Sequence, residues 1–263
     1  MGGAERSARK RKQAALAVTQ ARGASGGGAD RTKVIAGIAV VAVLAVAVIG
    51  FVVYQSRSSG PGTDGAIPLA PADHTISAPA VRDGSTVLVG KDTATVTVDV
   101  YEDFLCPICG TFEKTYGTDI KNAVEDGKVK VRYHILPMLN RLSKPEGYST
   151  ESANAALCVA DDGKFNAFHA ALFATQPEEG DAGYTQDQLI KLGKDVGVTS
   201  ADFEPCVRNQ TYKSELDALM SKTSNDPVLR DAETGRFRGT PSVAANGKLV
   251  DLDNKNWLSD LAS

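Results

Sequence analysis

The sequence contains few of the residues that form disulfide scaffolds or zinc sites, with four cysteines and three histidines among 263 residues. Four cysteines are too few for a disulfide-rich mini-protein, although an even number allows two pairs. His74, His134 and His169 form no H-x-H or H-x-x-H group, so we expect no metal site and no bound cofactor. We interpret His134 and His169 as packing or surface residues without a catalytic role.

Positive charge is concentrated at the start of the chain and scarce after it. Residues 1–33 carry eight Lys or Arg and two Asp or Glu, a net charge of +6, and the rest of the chain carries a net charge of −9. An acidic main domain is poorly suited to binding a phosphate backbone, so we expect no nucleic acid partner. With 42% hydrophobic residues, the chain is also not wholly disordered.

One long run, Val34–Tyr54, has no charged residue. As an α-helix it would span roughly 31 Å, about the thickness of a bilayer core. Because the basic residues of 1–33 precede it, the positive-inside rule predicts a single transmembrane helix that leaves a basic tail in the cytoplasm and the folded domain outside the cell membrane. The alternative is a buried core helix, which we disfavour because the run has no polar face.

Residues 55–85 are rich in Gly, Pro and Ser, which predicts a flexible linker, and the folded domain is therefore predicted at 86–263. Within this domain, apolar residues at helical spacing predict an all-helical block at about 148–223. Thr185 and Gln188 form a capping-box pattern at the start of one helix in this block.

Strands on both sides of the helical block predict an α/β fold. Thr95–Val100 alternates apolar and polar residues, and Val129–Leu136 is a second run of strand-forming residues. Asn246-Gly247 predicts a tight turn between two short strands near the end of the chain. Residues 256–262 predict a closing helix.

The chemical signal lies in two cysteines of the folded domain. Cys106-Pro107-Ile108-Cys109 directly follows a predicted strand and stands at a predicted helix start. A helix N-terminus stabilises the thiolate of Cys106, and Cys109 lies one turn on, close enough to attack a mixed disulfide. One alternative is a zinc site, which lacks two further ligands at matching spacing. The other is a purely structural disulfide, which we rank lower because so short a gap at a helix start gives a strained bridge.

Two stretches resemble the DsbA-like thiol–disulfide oxidoreductases, particularly the membrane-tethered forms of Gram-positive and actinobacterial envelopes. They are Tyr101–Cys109, which reads YEDFLCPIC, and Gly239-Thr240-Pro241-Ser242 followed by Asn246-Gly247-Lys248. The resemblance covers roughly residues 86–263. It implies a thioredoxin-like fold with an inserted all-helical subdomain.

The resemblance also implies roles for individual residues. Cys106 is expected to be the nucleophile and Cys109 the resolving cysteine. Thr240 and Pro241 are expected to form the cis-proline loop beside the active site, where Thr240 offers backbone hydrogen bonds to an extended substrate.

Cys158 and Cys206 lie in the helical block, in a compartment that we expect to be oxidising. We predict a structural disulfide between two helices of the block, a feature that actinobacterial members of the family also have. A second redox relay and a pair of buried free thiols remain alternatives.

The sequence departs from the family at two positions. Many members carry a buried acid six residues before the first cysteine, where this chain has Val100. Glu102 or Asp103 could replace that acid, but we favour a solvated position for both. Ile108 stands where some strong oxidases have histidine, which predicts a milder oxidant.

We therefore expect an oxidase that introduces disulfide bonds into exported, cysteine-containing proteins. Such an enzyme needs a membrane reoxidase, for example a quinone-linked one, and we expect it to act as a monomer. A reductase or isomerase of the envelope is the alternative with the same chemistry. A non-catalytic chaperone or metal-binding module with the same fold is the alternative from another class.

Overall fold

The protein's structure, a computed structural model, describes residues 65–262. The predicted tail 1–33, the predicted membrane helix 34–54 and the first part of the predicted linker lie outside these residues. Within the described range, no helix is long and apolar enough to cross a membrane.

A mixed β-sheet forms the centre of the fold. Its strands are β1 (Ala80–Asp83), β2 (Thr86–Val89), β3 (Val96–Glu102), β4 (Val129–Ile135), β5 (Ser242–Ala245) and β6 (Lys248–Leu249). They stand in the order β1-β2-β4-β3-β5-β6. β3 and β4 run parallel, and the other neighbouring strands pair antiparallel.

β3 is a central strand and carries the chain to the cysteines. Its residue Val100 is fully buried and pairs with Tyr133 on one side and Val243 on the other. Along β4 buried and partly exposed residues alternate, as expected for a strand with one face against the core. The turn between β5 and β6 is Asn246-Gly247, as predicted, with φ angles of 53° and 72° that suit these two residues.

Helices cover the sheet and form a block between β4 and β5. They are α1 (Pro107–Glu125), α2 (Tyr148–Ala160), α3 (Phe165–Ala174), α4 (Gln186–Asp195), α5 (Phe203–Arg208), α6 (Lys213–Asn225) and α7 (Trp257–Leu261). α2 is buried over almost its whole length and contacts α3, α4, α5 and α6. The capping box at the start of α4 is confirmed: Thr185 Oγ1 accepts from the Gln188 N–H at 3.3 Å, and Gln188 Oε1 accepts from the Thr185 N–H at 2.9 Å.

The prediction of a flexible linker up to residue 85 is wrong for its last part. Strand β1 begins at Ala80 and pairs with β2, and Ile67 is buried in the core. Gln188 Nε2 also donates to the carbonyl of Gly65 at 2.9 Å. Backbone pairing and the buried side chains of Ile67, Ala78 and Ala80 hold this segment, and neither is visible in a composition rich in Gly, Pro and Ser.

Candidate active site

Cys106 lies between the end of β3 and the start of α1. It is the N-cap residue of α1, and Pro107 occupies the first helical turn, where a missing N–H leaves no hydrogen bond unmade. The Cys106 N–H donates to the Asp103 carbonyl at 2.9 Å, which fixes the turn before the helix. Cys106 and Cys109 are both free thiols and both buried, whereas Ile108 between them is 65% exposed.

The Cys106 sulfur lies in a group of hydrogen-bond donors. The pKa of Cys106 is lowered from 9.0 to about 6. The largest cause is the hydrogen bond from the Cys109 thiol, and burial acts against it. The Thr240 side chain and the backbone N–H groups of Cys109 and Ile108 lower the pKa further. The helix start therefore contributes to the shift, as predicted. The largest contribution comes from the partner cysteine, which the sequence argument did not include.

Thr240 faces Cys106 from the loop before β5, and the Thr240–Pro241 peptide bond is cis. The carbonyl of Thr240 accepts a hydrogen bond from the Cys106 thiol at 3.3 Å, which favours the protonated form. The Thr240 hydroxyl forms no hydrogen bond with any described residue, so it is free to donate to the thiolate. The two groups act in opposite directions, and the side chain of Thr240 lowers the pKa of Cys106.

Cys109 has the opposite electrostatic environment. Its side chain is fully buried, and this burial, together with the hydrogen bond to Cys106 and the charge of Glu102, raises the pKa of Cys109 far above its usual range. At neutral pH the pair therefore consists of a Cys106 thiolate and a protonated Cys109.

Glu102 and Asp103 are not solvated, which corrects our prediction. Both are 0% exposed. Asp103 accepts hydrogen bonds from the N–H groups of Leu105 at 2.9 Å and Leu139 at 2.8 Å, and burial still raises its pKa to about 6. Burial likewise raises the pKa of Glu102 well above its usual range. The helical block covers the end of β3, and period-2 alternation along the strand does not reveal that cover.

His169 contacts Glu102 and therefore does more than pack against its apolar neighbours. Its Nε2 atom faces Glu102 Oε1, and burial lowers its pKa. Glu113, from the second turn of α1, lies beside both residues, and burial raises its pKa to about 8. Nothing in the sequence spacing of His169 and Glu113 joins them, so the sequence does not predict this contact.

Gln176 is a second residue that the sequence did not indicate. It follows α3 and donates from Nε2 to the carbonyls of Phe104 at 3.0 Å and Cys106 at 2.8 Å, which holds the loop that carries Cys106. A Cβ atom on Gly110 would lie 2.3 Å from Gln176 Oε1, so the glycine permits this approach. Gln176 is thus a positioning residue.

Cys158 on α2 and Cys206 on α5 form a disulfide with an S–S distance of 2.05 Å. Asn154 joins the same helices, because its Nδ2 donates to the Cys206 carbonyl at 3.3 Å and its Oδ1 accepts from the Tyr212 N–H at 2.9 Å. The bridge thus lies within the helical block.

A surface groove of about 480 Å³ lies beside the cysteine pair. Ile108, Thr240 and Pro241 form one part of it, and Leu252 and Arg238 line it further on. The exposed Ile108 and the cis-proline loop lie on its border.

A buried dithiol at the start of a helix, opposite a cis-proline and in a mixed sheet with a helical insertion, defines a thioredoxin-like domain of the DsbA type. The family model described as Thioredoxin matches residues 82–259. The chain belongs to this family.

Comparison with curated proteins gives two groups of relatives. The serine/threonine-protein kinase PknE of Mycobacterium tuberculosis is 33% identical over 211 residues, which are 78% of this chain but 36% of the kinase. The chain therefore spans about a third of the length of these kinases. The probable disulfide bond formation protein D of Bacillus cereus is 27% identical over 63% of this chain and 72% of its own length.

Solved structures agree with the second group. DsbA from Mycobacterium tuberculosis superimposes with a TM-score of 0.56 at 27% identity, covering 68% of this chain and 98% of that protein. MdbA, a thiol-disulfide oxidoreductase from Corynebacterium matruchotii, gives a TM-score of 0.58 at 27% identity, covering 71% and 92%. These comparisons place the described domain among thiol–disulfide oxidoreductases of the DsbA type.

Proposed function

We propose that the protein is an extracytoplasmic thiol–disulfide oxidase that introduces disulfide bonds into exported proteins. The observation that carries this proposal is the opposite shift of the two cysteine pKa values, downward for Cys106 and upward for Cys109. A thiolate exists only in the reduced enzyme, so its stabilisation favours reduction of the enzyme and hence oxidation of the substrate.

The same asymmetry supports the following order of steps. A substrate thiolate attacks Cys106 in the oxidised enzyme, the Cys106–Cys109 bond breaks, and Cys109 takes up a proton. A second thiolate of the substrate then attacks the substrate sulfur of the mixed disulfide and expels Cys106. The low pKa of Cys106 makes it a good leaving group in this step. The substrate ends with one disulfide and the enzyme with a dithiol.

The proposed location rests on charge and on the second cysteine pair. The basic residues before Val34–Tyr54 favour a cytoplasmic N-terminus and an exported domain. A structural disulfide such as Cys158–Cys206 is typical of an oxidising compartment. A cell-membrane enzyme of this kind requires a membrane reoxidase to restore the Cys106–Cys109 disulfide.

The resting redox state in cells tests the direction of the reaction. Free thiols are alkylated at once with a mass-tagged reagent, and the two forms of Cys106–Cys109 are separated by size. An oxidase rests oxidised. A protein found mainly reduced, with its domain outside the membrane, would refute the oxidase proposal in favour of a reductase.

Mixed-disulfide trapping tests the roles of the cysteines. The Cys109→Ala variant should accumulate mixed disulfides with substrate proteins through Cys106, because Cys109 can no longer attack the Cys106 sulfur and release the substrate. Cys106→Ala is the matched control and should trap none. Trapping by Cys106→Ala and not by Cys109→Ala would reverse the roles of the two cysteines.

A reporter fused after residue 86 tests the proposed location. Activity of this reporter only in the cytoplasm would overturn that location.

A further inference from the structure

Three side chains that the disulfide exchange does not require converge behind the cysteine pair. They are Glu102 at the end of β3, Glu113 on α1 and His169 on α3. One nitrogen or oxygen atom from each lies within 4.8 Å of the corresponding atoms of the other two. We call these residues the Glu-Glu-His cluster.

Two carboxyl oxygen atoms of the cluster lack hydrogen-bond donors among the described residues. Glu102 is 0% exposed, and its Oε2 accepts no hydrogen bond from any residue between 65 and 262. Oε1 of Glu113 is buried and likewise without a donor in this range. Buried carboxyl oxygens without partners are costly, so these atoms indicate a positively charged or hydrogen-bonding ligand.

A cavity of about 270 Å³ leads to the cluster, and Glu113, His169 and Asn166 line it. Asn166 Nδ2 donates to the carbonyls of Ile76 at 2.9 Å and Ala78 at 2.8 Å, which fixes the orientation of the amide. Its Oδ1 is therefore a further buried acceptor that has no donor among the described residues. Lys114 and His74 also line this cavity, so the preference for a cation rests on the buried carboxyl oxygens of the cluster and not on the access route.

Aromatic rings hold His169 in place. The centroids of Tyr133, Phe165, Phe173 and Phe104 lie 4.6, 5.2, 5.0 and 5.7 Å from the centroid of its ring. A histidine that is packed on several sides loses little side-chain entropy when it binds a ligand, which favours binding.

We propose that the Glu-Glu-His cluster binds one divalent metal ion, with Zn²⁺ as the preferred ion. Two carboxylates balance the charge of the ion. An imidazole ligand favours Zn²⁺ over Mg²⁺ or Ca²⁺, which prefer all-oxygen sites. The ion would join β3, α1 and the helical insertion. The site differs from the C-x-x-C zinc site that the sequence argued against, because its ligands come from three separate elements.

The test uses the full, untagged chain in oxidised form, so that Cys106 and Cys109 offer no thiolate to the metal. Titration calorimetry with Zn²⁺ should give one site per chain. Glu113→Gln and His169→Gln should each weaken binding at least tenfold. Glu151→Gln and His134→Gln replace the same residue types outside the cluster, and they should bind as the wild type does.

Two further measurements keep the proposal falsifiable if a variant is unstable. Zn²⁺ should raise the melting temperature of the wild type and not that of Glu113→Gln, which keeps the shape of a partly exposed side chain. Co²⁺ should give visible absorption bands that His169→Gln changes. The proposal is overturned if the wild type binds no stoichiometric ion, if both cluster variants bind unchanged, or if the Co²⁺ spectrum shows thiolate charge transfer. None of these outcomes depends on whether the enzyme is an oxidase.

Discussion

The shifted pKa of Cys106 predicts a defined pH dependence of the redox equilibrium. With a pKa of about 6, against an ordinary value of 9.0, the Cys106 thiol is about nine-tenths ionised at pH 7. Ionisation then favours the reduced protein by roughly 1.4 kcal/mol, which is about tenfold in the equilibrium with a substrate dithiol, or about 30 mV. Because the pKa of Cys106 is depressed, the stabilisation of the reduced protein reaches its full size above the ordinary pKa of 9.0. It is lost as the pH falls through about 6.

Removing the Cys109 thiol tests the largest cause of this shift. A hydrogen bond to a charged group contributes about 1.5–3 kcal/mol, which corresponds to roughly 1–2 pKa units. Cys109→Ala should therefore titrate Cys106 at about pH 7–8. Cys109→Ser keeps a donor at the same position and should show a smaller shift. The backbone N–H groups at the helix start remain in both variants, so neither should return fully to the ordinary value.

The assay is ultraviolet absorbance of the thiolate against pH, supported by the rate of alkylation by iodoacetamide. The wild type is measured in its reduced form, with the oxidised form as the blank. A Cys109→Ala midpoint within about 0.3 units of the wild type would show that Cys109 is not the main donor. A wild-type midpoint at or above about 8.5, the value of a free cysteine, would refute the whole electrostatic argument.

Four other variants test the structural disulfide and the remaining contributions to the pKa of Cys106. Changing both Cys158 and Cys206 to serine opens a link across a sequence separation of 48 and should lower the free energy of unfolding by about 4 kcal/mol, measured by denaturant titration. The variant should still oxidise a peptide dithiol, and loss of turnover in folded protein would favour a relay. Ile108→His should lower the pKa of Cys106 further and raise the reduction potential against glutathione; an unchanged potential would contradict it. Thr240→Val removes the hydroxyl and keeps the carbonyl, so thiolate absorbance should report a higher Cys106 pKa, whereas Thr240→Ser should titrate as the wild type does.

The features that sequence predicted well are those set by local chemistry. The segment Cys106–Cys109 follows strand β3 and begins helix α1. Alternation of apolar and polar residues predicts the strand, and Pro107 is typical of the first turn of a helix. The Asn246-Gly247 turn depends only on which residues tolerate positive φ. The capping box of α4 likewise involves two side chains within one helical turn.

The features that sequence missed depend on contacts between distant segments. His169 is separated from Glu102 by 67 residues, and Gln176 from Cys106 by 70. No periodicity within β3 or α3 shows which residue of the insertion faces the end of the strand. The burial of Glu102 and Asp103 has the same origin. The residues that cover them are distant in sequence, so the sequence alone suggested two solvated carboxyls at a strand end.

The helical insertion is therefore part of the active site. Its role follows from the residues of the cysteine loop and of β3 that it contacts. Gln176 holds the carbonyls of Phe104 and Cys106, so the loop that aims the Cys106 sulfur at the cis-proline is fixed from the insertion side. His169 covers Glu102, whose charge contributes to the raised pKa of Cys109. Burial also raises the pKa of Glu102 well above its usual range, so the cover over the end of β3 affects the protonation of a carboxyl close to the cysteine pair. The surroundings of the two cysteines thus depend on the insertion as well as on the C-x-x-C sequence.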